Sequence, residues 1–323
     1  MSFQPPRRLT TRRGFLGLGA ATLVLPALSA CGALTGPRPD PVIAALHALA
    51  SSDLAALEQL GAEAEATATV RRTQLAALQR EIQRSCGTAG DGTTPQQCLD
   101  TNVQAAPVSA KKAALIVSSA RTSPLLREAF EQRSALEEDY AARLAVAVDA
   151  GCVTAARAAG ASWESLEPQW GDVDMGSLIG GAQEYLEAAL QAEYATIYGL
   201  GLAAEVPAAL TEALSSRADR HRRLRDAIIA VYRASEIEPP VAAPAYRELP
   251  GGVDHRRAPI AFAAALEWHA SQAWEAVARY ARSAEVRAFA LQAAGVVAAG
   301  AAGLDQVEQP SQELEALPGL APS

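Results

Sequence analysis

The chain has 323 residues, 50% of them hydrophobic and only 5% aromatic, with a formal net charge of −8. An acidic balance argues against nucleic acid or anionic lipid as an electrostatic partner. Abundant alanine with few β-branched runs argues against a sheet-built protein and for an all-α one.

Residues 1–30 read as an export signal. Arg12 and Arg13 lie in Thr11-Arg12-Arg13-Gly14-Phe15-Leu16, which follows the twin-arginine consensus except for its trailing lysine; Arg7 and Arg8 add charge, and the stretch contains no acid. The apolar run from Phe15 to Ala30 is, at roughly fifteen residues, short of the length that spans a bilayer. It ends in Leu28-Ser29-Ala30-Cys31, the small-residue box at which lipoprotein processing enzymes cut ahead of a lipidated cysteine. The expectation is a membrane partner through lipid on Cys31, reached by way of the twin-arginine translocase and those enzymes. The body is then held at the outer face of the cytoplasmic membrane. Diacylglycerol supplies two acyl chains, which is what stable anchoring takes. The alternative is a Sec signal with accidental arginines. Cleavage leaves 293 residues and removes four arginines, so the net charge goes from −8 to −12.

Residues 31–40, rich in Gly and Pro, read as a lipidated tether. Asp40-Pro41 is an N-cap followed by proline at the first helical position. From there Ile43, Leu46, Ala50, Leu54 and Leu57 recur at helical spacing, and the pattern resumes after Gly61 through Leu75, Leu78 and Ile82 to Cys86-Gly87. This predicts one long helix with a soft spot at Gly61, or two in series. A helix follows from about 109 to 121, and Ser123-Pro124 caps another reaching about 159. Together these form an N-terminal helical segment, 41–160. Residues 161–176, with Trp163, Pro168, Trp170 and two glycines, read as a linker. Four further helices are expected, about 177–204, 207–235, 258–282 and 284–300. The middle two are joined by a crossover holding Pro239, Pro240, Pro244 and Pro250. Short, long, short is the loop order of a four-helix bundle with one long crossover, the ferritin-like arrangement, over residues 177–304. Residues 305–323 read as a disordered tail, and no segment after the signal reads as a transmembrane helix.

Outside the cytoplasm cysteines tend to pair. Cys86 and Cys98 bracket a Gly/Thr-rich loop that closes easily and form the favoured bridge, with Cys152 paired to either as the rival.

Glu193-Tyr194-Ala195-Thr196-Ile197-Tyr198-Gly199, His221-Arg222-Arg223-Leu224-Arg225-Asp226 and the crossover from Pro239-Pro240 to Leu249-Pro250 resemble the ferritin-like domain of unknown function found in actinobacterial lipoproteins. The resemblance covers residues 183–304. It implies a fold and a location, and has no established chemistry to lend.

The residues give a finer reading. Glu193 shares an apolar stripe with Leu186, Leu190, Ile197 and Leu200; His221 with Leu214, Leu224 and Ile228; Glu267 with Ile260, Ala263, Ala270 and Trp274. All three point inward, as the carboxylates and imidazoles of bundle-core iron sites do. The complete di-iron pattern needs Glu three residues before His, and Ala218 stands there; the last helix offers Val286, Phe289, Ala293 and Val297 inward and no ligand. Two readings stay open. Glu193 and His221 satisfy each other as a buried pair that fixes helix register, with no cofactor. Alternatively Glu193, His221 and Glu267 hold a single iron or zinc ion. His47 is expected at a stripe edge, His269 and Trp268 as packing or interface residues, and Arg217, Arg220, Arg222, Arg223 and Arg225 with Asp219 as a solvated helix face. No nucleophile elbow, P-loop or His-Glu-x-x-His run is present. The expected function is that of a membrane-anchored extracytoplasmic lipoprotein, a non-enzymatic binding or scaffolding module with a possible envelope protein as partner; the alternative is a metal-binding or redox protein.

Overall fold

The computed structural model describes residues 38–87, 98, 105, 110, 112–203, 208–244, 246, 252–308 and 313–320. The export signal, Cys31 and the tether up to residue 37 lie outside them. Every regular element among the described residues is helical: α1 (Pro41–Leu60), α2 (Glu65–Cys86), α3 (Ala113–Arg121), α4 (Pro124–Phe130), α5 (Asp139–Ala158), the short α6 (Met175–Leu178), α7 (Gln183–Leu202), α8 (Ala208–Ala234), α9 (Pro259–Tyr280) and α10 (Ala284–Glu308).

Asp40 caps α1, its Oδ1 accepting from the amides of Val42 and Ile43 at 2.9 and 3.2 Å. Gly61 is a reversal and not a soft spot in a rod. Its φ is +72°, which glycine adopts without the Cβ penalty, and a 3₁₀ turn over Gly61–Ala64 leads the chain back. The proof is the buried pair in which Arg71 Nε donates to Asp53 Oδ2 at 3.0 Å. Eighteen residues along one helix would hold these groups about 27 Å apart. The α1–α2 hairpin ends at Cys86, which is bridged to Cys98 with Cα atoms 6.2 Å apart, while Cys152 is free and buried.

The helix expected from 124 to 159 is broken at 131–138. Arg287, on α10, gathers the carbonyls that the break exposes: those of Phe130 and Gln132 at 3.3 and 3.4 Å, and that of Ala135. Asp40 Oδ2 accepts from the amide of Leu136, whose φ is +55°. Tertiary partners for the peptide groups outweigh local helix propensity here.

α7, α8, α9 and α10 follow the short, long, short loop order, the crossover after Ala234 running beside α7 with Gln191 and Tyr194 donating to the carbonyls of Val241 and Pro240. α10 packs on α9 on one side and on α5 on the other. Residues 37–323 therefore form one compact unit. α10 is apolar over Ala284–Val307 and long enough to cross a membrane, contrary to the sequence expectation, but 78% of its apolar window is buried inside the protein. That is the pattern of a core helix that is hydrophobic all round.

The expected linker, 161–176, is a packed strap. Trp170 stacks on Phe289 with centroids 3.8 Å apart and donates through Nε1 to the carbonyl of Ala227 at 3.2 Å. The expected disordered tail is also ordered in part: α10 runs on to Glu308, and within 313–320 the carbonyl of Ala316 accepts from Gln74 Nε2 at 2.9 Å. Leu317 and Leu320 pack on the core, so apolar burial and a buried amide hold this segment down.

Candidate functional site: a buried ion network in the bundle core

α7, α8 and α9 each deliver one of the three inward-facing residues, and Glu193, His221 and Glu267 are all fully buried. His221 Nδ1 lies 2.6 Å from Glu193 Oε2. Its Nε2 points towards Glu267 Oε1 at 3.8 Å, near enough for charge attraction and too long for a hydrogen bond. The second oxygen of Glu193 accepts from Trp274 Nε1 at 2.6 Å. The pair and the third residue expected from helical phase are thus brought together, and Trp274 joins them.

What the sequence reading misplaced is the arginine group. Arg222 and Arg223 are exposed as expected. Arg220 is buried and Arg217 nearly so, and both donate to Glu267 Oε1, at 3.3 and 3.1 Å. Arg217 also donates to the carbonyl of Gly300 at 2.6 Å. Two features make this possible. Trp163, on the strap, covers the Arg220 guanidinium with its ring centroid 4.5 Å from Cζ, a cation–π contact. Gly300, on α10, leaves the space: a Cβ there would lie 2.1 Å from Glu267 Oε2 and 2.9 Å from each arginine. His269, expected as a packing or interface residue, is exposed and not packed in the core, whereas Trp268 is half-buried and donates to Asp305 Oδ2 at 3.1 Å.

The electrostatics follow from this packing. Burial works against the charged form of His221, but Glu193 and Glu267 outweigh it and raise the imidazole to about 9. Glu267 is buried too, yet Arg220, Arg217 and His221 hold its carboxyl far below the usual range. At neutral pH His221 is therefore an imidazolium beside an ionised Glu267 that two guanidinium groups hold. Arg220 Nε, His221 Nε2 and Glu267 Oε2 are buried without a hydrogen-bond partner among the described residues.

This donor set does not fit the iron or zinc ion of the second sequence reading. Two guanidinium groups already hold the Glu267 carboxylate. A divalent cation beside it would be repelled by both. Among the described residues no group of three or more His, Cys, Asp or Glu side chains is placed to hold a metal ion. The arrangement can do something else: it ties three helices together through charge-assisted bonds that need one register.

Two further polar clusters lie outside the bundle core, one between α10 and the N-terminal helices and one among α1, α2 and α5, and neither was visible in the helical pattern. Arg121 grips Asp149 with two bonds of 2.9 Å and donates to the carbonyls of Leu166 and Gln292 at 2.6 and 3.1 Å. Gly295 makes room for Asp149, since a Cβ there would lie 2.0 Å from its Oδ2. Arg71 joins Asp53, Gln74 and the Cys152 sulfur, which it meets at 3.0 Å. Burial pushes the Cys152 thiol up to about 11, so it stays protonated and unreactive.

No curated protein and no solved structure matches the chain. A family model does match its C-terminal part, from within α7 through the packed tail beyond the 304 expected from sequence. Residues 185–322 match the model of a domain of unknown function (DUF4439), a family of the ferritin-like type.

Proposed function

We propose that the protein is a membrane-anchored extracytoplasmic lipoprotein whose helical body is a non-enzymatic binding or scaffolding module of the cell envelope. The address rests on the twin-arginine stretch and the box that ends in Cys31. The non-enzymatic reading rests on one observation. In the bundle core, where a carboxylate-bridged site would be built, Arg217 and Arg220 occupy the Glu267 carboxylate and a protonated His221 fills the space between the acids. A core whose acids face its own cations disfavours a further cation there. Binding is left to the surface of the body, and an acidic body tethered by lipid suits an envelope protein as partner.

The test has two arms. Cys31→Ser should abolish palmitate labelling and normal processing; continued acylation would refute the anchor. Purified protein supplied with iron or zinc should carry well under one metal ion per chain. One ion per chain, lost in both His221→Ala and Glu193→Ala, would establish the metal-binding alternative instead.

A further inference from the structure

A cavity of about 340 Å³ opens where α3, α4, the 161–176 strap and the start of α10 meet. It lies apart from the bundle-core network, Arg121 and Glu167 are on its wall, and its volume is at the lower end of the range for small-molecule sites. The inner charges are spent: Arg121 is bound to Asp149, and Glu167 accepts from Arg223 at 2.5 and 2.6 Å. Leu126, Ala288 and the stacked pair Trp170 and Phe289 form an apolar and aromatic wall, with Gln169 and Gln292 beside it.

The mouth is different. Arg127, in the last turn of α4, is exposed and makes no hydrogen bond or ion pair among the described residues. Glu285, in the first turn of α10, is half-buried and is oriented by Ser283 Oγ, which donates to its Oε2 at 2.7 Å. The two charges feel each other but lie beyond ion-pair distance. A cation and an anion that are not paired with each other thus line the same cavity as an apolar wall.

We propose that this cavity binds a zwitterionic α-amino acid with an apolar or aromatic side chain. The carboxylate would go to Arg127, the ammonium to Glu285 and the side chain into the space along Leu126, Ala288 and the Trp170–Phe289 pair. A neutral apolar molecule would leave both mouth charges unused, and a singly charged one would leave one of them facing its own sign. The proposal is independent of lipidation and of the bundle core.

Calorimetric titration of the full processed chain with L-phenylalanine and with L-leucine tests it. Saturable one-to-one binding of at least one is expected. N-acetyl-phenylalanine, which lacks the ammonium, and phenylalaninamide, which lacks the carboxylate, should each bind about tenfold more weakly or worse, as loss of one charge-assisted bond implies. Arg127→Gln and Glu285→Gln should each weaken the amino acid by a similar factor while circular dichroism stays that of the parent. Ala288→Trp, which fills the cavity, should abolish binding. No saturable binding up to about 10 mM of either amino acid, a weakness beyond any useful affinity, overturns the proposal. So does equal affinity for the blocked derivatives, or binding indifferent to both mouth substitutions.

Discussion

Gly300→Ala should destabilise the protein far more than one methyl group on a helix ordinarily does. In isolation the change favours the helix by up to ~1 kcal/mol. In place, the new Cβ would lie 2.1 Å from Glu267 Oε2, whereas ordinary contact needs about 3.5 Å. The carboxylate must therefore retreat by about 1.4 Å, and its bonds of 3.1 and 3.3 Å to Arg217 and Arg220 cannot survive that shift. Overpacking alone costs about 1–3 kcal/mol, and uncoupling a buried ion pair costs about 3–5 kcal/mol when complete. Net of the helix gain, the expected loss is about 2–5 kcal/mol. Urea unfolding followed by circular dichroism measures it. Gly201→Ala, on α7 with nothing within 4 Å of the added carbon, is the control and should be neutral or slightly stabilising. On a Glu267→Ala background the Gly300 substitution should become cheaper, because the nearest conflicting atom is gone and only the flexible ends of Arg217 and Arg220 remain at 2.9 Å. Equal cost in both backgrounds, or a Gly300→Ala protein as stable as the parent, would refute the reasoning.

Three other outcomes follow from the same physics. His221 has a folded-state pKa of about 9 against 6.5 for the free side chain, so its contribution is complete below about 6.5 and is lost as pH rises through about 9. Stability measured from pH 6 to 10 should fall by as much as about 3 kcal/mol in the parent, and His221→Gln should flatten that slope; an unchanged slope would show that His221 is not its source. Reducing the Cys86–Cys98 bridge should cost about 2–3 kcal/mol on the chain-entropy estimate, and peptide mapping under non-reducing conditions should find Cys152 as a free thiol. Arg121→Met should cost about 3–5 kcal/mol by stranding Asp149, and adding Asp149→Leu should recover most of the loss; a double variant as unstable as the single one would show that lost packing, and not the stranded charge, is responsible.

Most of the fold is legible because the helices announce themselves locally. Asp40-Pro41, Ser123-Pro124, the glycine after Cys86 and the apolar spacing place the elements without tertiary information, and the proline-rich crossover sets the loop order. The failures share one cause. Gly61 reads as a soft spot in one helix or a joint between two in series; two helices are present, and only the Asp53–Arg71 pair across the turn reveals that they fold back as a hairpin. The break at 131–138 has no local signal, because it is Arg287, about 150 residues downstream, that satisfies the opened carbonyls. The strap and the tail look like linker and coil, since Trp170, Leu317 and Leu320 find partners only in three dimensions.

The core site divides along the same line. Helical phase alone placed Glu193, His221 and Glu267 inside, because each sits on an apolar stripe. It could not place Arg217 and Arg220, whose neighbours Asp219, Arg222 and Arg223 make the whole turn look solvated. Phase did hold a clue: Arg217 lies four residues before His221, on the same face of α8. Composition held another. Of 28 basic residues only Lys111 and Lys112 are lysine, so 26 are arginine. A guanidinium keeps its proton when buried and offers up to five donors in a fixed fork, so it can serve as an internal cation where an ammonium would lose its charge. Arg71, Arg121, Arg220 and Arg287 are each buried against a carboxylate or a set of carbonyls. Gly295 and Gly300, which seat two of those carboxylates, sit on an alanine-rich helix where a glycine has little other reason to be. An arginine-rich, lysine-poor helical chain with isolated glycines in its most apolar helix is therefore a sequence in which to expect buried ion pairs. In this protein the positive charge that a metal ion would bring to the bundle core is supplied by the side chains themselves.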